Sequence, residues 1–172
     1  LRRMLGDLGH DVESAVFTIC DFNHKGREIN RKGLLRATAN RRVDGIKLAY
    51  YAVQNTAAVF DNTLARVTVP AVSVMADTSS ACFAYRHVKS GSPLVVLWDN
   101  SGTPDDAFVT RPAQVTVKDL AFQEPVWVDL VTGRVYAWPA DRMVKAGAFT
   151  LFKDVPFYDA PVLIAEKALI LK

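Results

Sequence analysis

Cysteine and histidine are scarce in this 172-residue chain, with two of the first and three of the second. Cys20 and Cys82 both lie inside apolar stretches, which suits buried free thiols better than a disulfide framework. His10, His24 and His87 are scattered, and no Cys/His cluster has zinc spacing, so neither a metal nor a cofactor is expected. No apolar run approaches the ~20 residues that cross a bilayer, so no membrane span is expected. Charge of one sign is also scant. The net value is +3, with 11 Lys/Arg against 7 Asp/Glu in residues 1–66 and 10 against 11 in the remainder. The excess sits between Lys25 and Arg42, where only Phe22 is close enough to act as an aromatic platform. Nucleic-acid binders carry longer basic stripes interleaved with aromatics, so nucleic acid is not an expected partner. The opening Leu1-Arg2-Arg3-Met4-Leu5 lacks both an initiator methionine and the apolar core of a signal peptide, and it reads as the start of a fragment.

What is present divides near residues 62–70. Leu1, Met4, Leu5 and Leu8 fall at helical spacing, and Gly9 stops the run. Residues 12–22 follow, and the β-branched and apolar core Ala15–Cys20 predicts a parallel strand covered on both faces. Residues 23–45 are polar, basic and broken by Gly26, Gly33 and Gly45, which predicts a long loop. From Ile46 to about Leu64 the pattern is helical. Asp44 is the candidate N-cap, Ala49, Val53, Ala57, Phe60 and Leu64 form one apolar stripe, and Lys47 and Gln54 are left to face water. Helix, strand, loop and helix in that order match one repeat of a (β/α)8 barrel.

Beyond the break the chain is β throughout. Ala65–Ala76, Ala81–Val88, Pro93–Asp99, Ala113–Lys118, Pro125–Leu130, Arg134–Trp138, Ala148–Phe152 and Pro161–Leu171 are runs of Val, Ile, Thr and aromatics separated by turn residues. That density of short strands predicts an antiparallel sandwich, with Pro93–Asp99 central because its apolar stretch is unbroken. The expected fold is mixed and mainly β: an antiparallel β-sandwich over 67–172, preceded by a βα remnant of a (β/α)8 barrel over 1–66.

Three stretches of the first segment carry a resemblance. They are Val16-Phe17-Thr18-Ile19-Cys20-Asp21-Phe22, Asn30-Arg31-Lys32-Gly33-Leu34-Leu35, and Lys47–Asn55 running on to Val59-Phe60-Asp61. In order, they resemble the eighth strand, loop and helix of clan A glycoside hydrolases. Pro93–Trp98, Pro125–Gly133 and Val155–Val162 are similar to the β-domain that follows such barrels. The resemblance implies a parent enzyme that cleaves O-glycosidic bonds of a polysaccharide or oligosaccharide with retention. It would use two glutamates, one after the fourth strand and one after the seventh, with carboxyl groups ~5–5.5 Å apart across the scissile bond. Neither position falls within this chain, so by itself it is expected to be inactive. Its partners would be the N-terminal portion of the barrel and, through it, a carbohydrate.

Functional residues of such barrels sit at the C-terminal ends of the strands and in the βα loops. That points to Asp21, Phe22, Asn23 and His24, then to Asn30 and Arg31 among the loop residues from Lys25 to Lys32. Asp21, Asn23 and Asn30 supply acceptors and donors for sugar hydroxyls, while Phe22 or His24 could stack on a pyranose face. The competing structural reading has Asp21 capping a loop, Phe22 in a core and the basic residues solvated. Tyr50 and Tyr51 are expected to pack against a sheet or the adjoining domain. Asp99, Asp105 and Asp106 read as a turn in preference to a calcium loop. A freestanding carbohydrate-binding module, with Trp98, Trp127 and Trp138 as a stacking strip, is the main alternative, and an interaction domain without a ligand is the third. The barrel reading also predicts that residues 1–64 expose unsatisfied strand edges, while the region from Val67 onward forms the stable core.

Overall fold

The computed structural model describes residues 1–23, 28–68, 71–105 and 107–171. It is mainly β with antiparallel sheets, as the strand density predicts. Helix α1 (Arg2–Gly9) opens the chain. Two small hairpins follow, β1 (Phe22–Asn23) with β2 (Ile29–Asn30), and β3 (Leu35–Ala37) with β4 (Val43–Ile46). After helix α2 (Leu48–Val59) come β5 (Leu64–Arg66), β6 (Val72–Met75), β7 (Ser80–His87), β8 (Pro93–Asp99) and β9 (Arg111–Lys118). The chain continues through β10 (Pro125–Asp129), β11 (Val135–Ala137), a 3-10 turn (Ala140–Arg142), β12 (Met143–Ala146), β13 (Phe149–Phe157), β14 (Val162–Glu166) and the one-turn helix α3 (Lys167–Ile170).

Two sheets face each other, one in the order β11-β10-β14-β8-β7-β5 and the other β12-β13-β9-β6. Side-chain alternation explains the layering. In β9 only Ala113, Val115 and Val117 are buried, with Gln114 and Lys118 in water, so that sheet has one wet face. Every residue of β8 is buried, because its sheet is covered on both sides. Val95 and Leu97 join Val162, Ile164, Trp127, Phe152 and Phe157 between the sheets. Leu94, Val96 and Trp98 point the other way, with Val126, Val128 and Leu163, under Leu5 of α1 and Val59 and Phe60 at the end of α2. The architecture is therefore three layers: helices, six strands, four strands.

The first segment is joined to the sandwich by more than packing. Strand β5 pairs antiparallel with β7, Leu64 opposite His87. Asn55 of α2 donates its Nδ2 to the Leu130 carbonyl at 3.1 Å, beside the turn glycine Gly133, whose φ of +72° favours glycine. Gly9 of α1 lies against Phe83, leaving no room for a Cβ.

Several expectations need correction. Residues 12–18 form no strand. Val12, Val16 and Phe17 are exposed, and Cys20 makes a single parallel bridge to Leu35. The reason is a shortage of neighbours: the Val12 amide donates back to the Asp7 carbonyl, and at the far end Thr18 and Ile19 accept from Leu34 and Leu35 and Asp21 donates to Leu35, with no ladder between. The 23–45 loop contains the two hairpins. Strand β4 continues to Ile46, so Lys47, not Asp44, occupies the N-cap position, and Asp44 instead accepts from Arg36 at 2.9 Å. The face of α2 turned to the sheet holds Ala52, Thr56, Val59 and Phe60. Ala49 and Ala57 of the expected stripe are exposed, because the buried face lies roughly a fifth of a turn away at 3.6 residues per turn. The run Ala65–Ala76 is two strands in two different sheets, and the last run turns helical after Glu166. Strand β12 gave no sequence signal.

Candidate functional site

The sheet-poor region from Thr18 to Lys47 is organised around one carboxylate. Asp21 follows Cys20, where the chain meets β3, and its side chain is buried. Gly33 N–H donates to its Oδ1 at 3.0 Å, and Lys47 Nζ donates to the same oxygen at 2.6 Å. Lys47 also donates to the Arg31 carbonyl at 2.8 Å, so one ammonium ties the loop to the start of α2. A Cβ on Gly33 would lie 2.2 Å from the Asp21 nitrogen and from the Cys20 carbonyl carbon, which only glycine avoids. The bond from Lys47 holds the Asp21 carboxyl below its ordinary pKa. Burial opposes the shift, and the amides of Gly33 and Ala37 and the Lys47 charge reinforce it. Asp21 is thus an ionised, sequestered anchor.

The other described site residues lie in the strand pair that follows Asp21, or just after it. Phe22 and Asn30 stand opposite each other in the β1–β2 hairpin, with Asn23 opposite Ile29. Phe22 is half-buried, edge-on to Phe17 at 5.7 Å. The Oδ1 of Asn23 is buried without a hydrogen-bond partner. Asn30 accepts from the Lys32 amide at 3.1 Å, and Arg31 is exposed. His24, with Lys25 and Arg27, lies outside the described residues. Chemically, the hairpin offers two side-chain amides and an aromatic ring, followed by the exposed Arg31, with one carboxylate already committed to an ion pair. That set can hold hydroxyls. It is not a nucleophile and acid pair.

Lys47 is the residue sequence reasoning missed, having been assigned to water. The available signal was chemical: an acidic residue closing an apolar stretch needs a counter-charge if it is buried. Tyr50 and Tyr51 pack edge-on against each other at 5.7 Å, and Tyr51 faces solvent instead of a sheet. Asp99 is a turn residue, accepting from Ser101 N–H and Thr78 Oγ1. Trp98 is buried under the helices, which removes it from any stacking strip. A scan against protein-family models gives no match to this chain, and a search of curated proteins gives none either.

Proposed function

We propose that this chain is the C-terminal part of a (β/α)8-barrel glycoside hydrolase of the clan A type, acting on O-glycosidic bonds of a polysaccharide or oligosaccharide. The sandwich buttresses the barrel, and the loop between Asp21 and Lys47 lines the sugar cleft. The catalytic glutamates lie outside this chain, which alone hydrolyses nothing. The observation that carries this reading is the exposed apolar stretch Val12–Ile19. Phe17 and Ile19 are each 66% exposed, and the stretch has no ladder to the sandwich sheets. Leu48 at 62% and Tyr51 at 46% add to the uncovered apolar surface on α2. An uncovered segment of β-branched and apolar residues that forms no strand, beside a helix that is apolar on its outer side too, is what remains when neighbouring strands and helices are missing.

The deciding experiment reads the coding sequence upstream of Leu1 and expresses the longer chain. Seven βα units with two glutamates at the ends of the fourth and seventh strands are expected. Amides of residues 13–17 should exchange fast in this chain and become protected in the longer one. A stop codon or an unrelated domain upstream would overturn the assignment.

A further inference from the structure

At the sandwich edge formed by β10 and β11, a cleft of about 470 Å³ opens to solvent, within the size range of small-ligand sites. Its walls are aromatic: Trp127, Tyr136, Trp138 and Phe108. Trp127 donates its indole N–H to the Pro156 carbonyl at 2.9 Å and meets the Tyr136 ring at 5.7 Å, tilted by 51°. Trp138 stands edge-on to the core residue Phe152 at 5.1 Å. The two tryptophans are therefore held rigidly from behind. Tyr136 and Phe108, 51% and 62% exposed, contribute little to the core. Singly exposed aromatics need no explanation, but these two converge on one concavity.

The polar groups in the same lining fit a second role. The side chains of Arg134, Arg142 and Asp154 make no hydrogen bond or ion pair to any described residue, although all three line the cleft. Asp154 sits in a register shift of β13 between Phe152 and Val155, at a φ of +52°. Bulges of this kind re-aim a side chain that regular pleating would send elsewhere. Flat apolar faces flanked by planar donors and acceptors complement a pyranose ring, whose C–H face is apolar and whose rim bears hydroxyls.

We propose that this cleft is a glycan-binding site, holding a pyranose residue against the exposed rings of Tyr136 and Phe108, over a floor formed by Trp127 and Trp138, with Arg134, Arg142 and Asp154 on its hydroxyls. It is separate from the Asp21 hairpin, and it stands whether or not the barrel reading does. The test is an NMR titration of the chain, following the tryptophan indole N–H signals, with xylohexaose, cellohexaose, laminarihexaose and trigalacturonate in turn. Variants Tyr136→Ala and Phe108→Ala, both at exposed positions, are compared with Tyr51→Ala on α2, and circular dichroism checks that each is folded. Expected is saturable binding of at least one glycan, with Trp127 and Trp138 shifting. That binding should weaken about tenfold or more in Tyr136→Ala and stay unchanged in Tyr51→Ala, the scale of losing a central aromatic anchor. No saturation by any of the four at millimolar concentration overturns the proposal, as does binding that Tyr136→Ala and Phe108→Ala leave intact.

Discussion

Tyr158→Phe should destabilise the sandwich by an amount the Asp129 geometry sets. The Tyr158 hydroxyl donates to Asp129 Oδ1 at 2.9 Å, and both residues are buried. Asp129 ends β10 and shapes the turn to β11, accepting from Val131 N–H at 2.8 Å and from Thr132 Oγ1 at 2.8 Å. Removing the hydroxyl keeps the ring, and with it the contact to Phe108, so no cavity opens. What is lost is one buried hydrogen bond to a charged group, about 1.5–3 kcal/mol. Because Asp129 keeps its turn donors, the lower end applies, about 1.5–2 kcal/mol. For a chain of this size that lowers Tm by roughly 3–8 °C. The assay is urea unfolding followed by tryptophan fluorescence, with an unchanged slope and a lower midpoint. Tyr136→Phe, exposed and with no hydroxyl partner among the described residues, is the control and should stay within about 0.5 kcal/mol. A second readout is alkaline. Burial and the Asp129 charge raise the Tyr158 pKa above 10.0, so its contribution is complete below pH 10 and is lost as pH rises further. Tyr158→Phe should remove part of that alkaline fall, while Tyr85, pushed up to about 12 by burial, keeps a share. A loss below about 0.5 kcal/mol in Tyr158→Phe would refute the premise that Asp129 depends on this donor.

Gly33→Ala should release the Asp21 anchor, because the added methyl meets main chain that cannot move aside; faster amide exchange over residues 18–35 with the sandwich unchanged is the expected result. In a carboxyl NMR titration, Asp21 should remain ionised below its ordinary value of 3.8, so the stability it contributes is present above that pH and is lost as pH falls through its lowered pKa. Asp99 should behave alike: burial pushes it up, but hydrogen bonds from Ser101 and Thr78 and the Arg111 charge outweigh that. Cys82, whose thiol burial pushes up to about 12, should resist iodoacetamide at pH 8 in the native protein and react after unfolding.

The sandwich was legible because its signals are local. Pro93–Asp99 reads as a central strand from its unbroken apolar run and Ala113–Lys118 as a strand run; β8 and β9 occupy those stretches, β8 in the middle of its sheet. Residues 12–22 misled for the opposite reason. Apolar β-branched sequence states what a segment could pair with, while a strand exists only if a neighbour accepts its hydrogen bonds. In the candidate site, Phe22 and Asn23 pair with Asn30 and Ile29 as close neighbours in sequence can, while the Lys47 ion pair that fixes Asp21 joins residues 26 apart. The aromatic cleft was legible only in Trp127 and Trp138, read as members of a stacking strip, since Phe108, Tyr136 and Asp154 come from other elements.

By itself, then, the sequence determined the class of the fold, the positions of most strands and the central place of β8, because periodicity and turn chemistry act within a few residues. Only the tertiary structure decided which face of α2 meets the sheet, that residues 12–19 stay uncovered, and that Asp21 finds Lys47. Those outcomes depend on which distant surfaces are there to be met, and no short window of sequence contains that information.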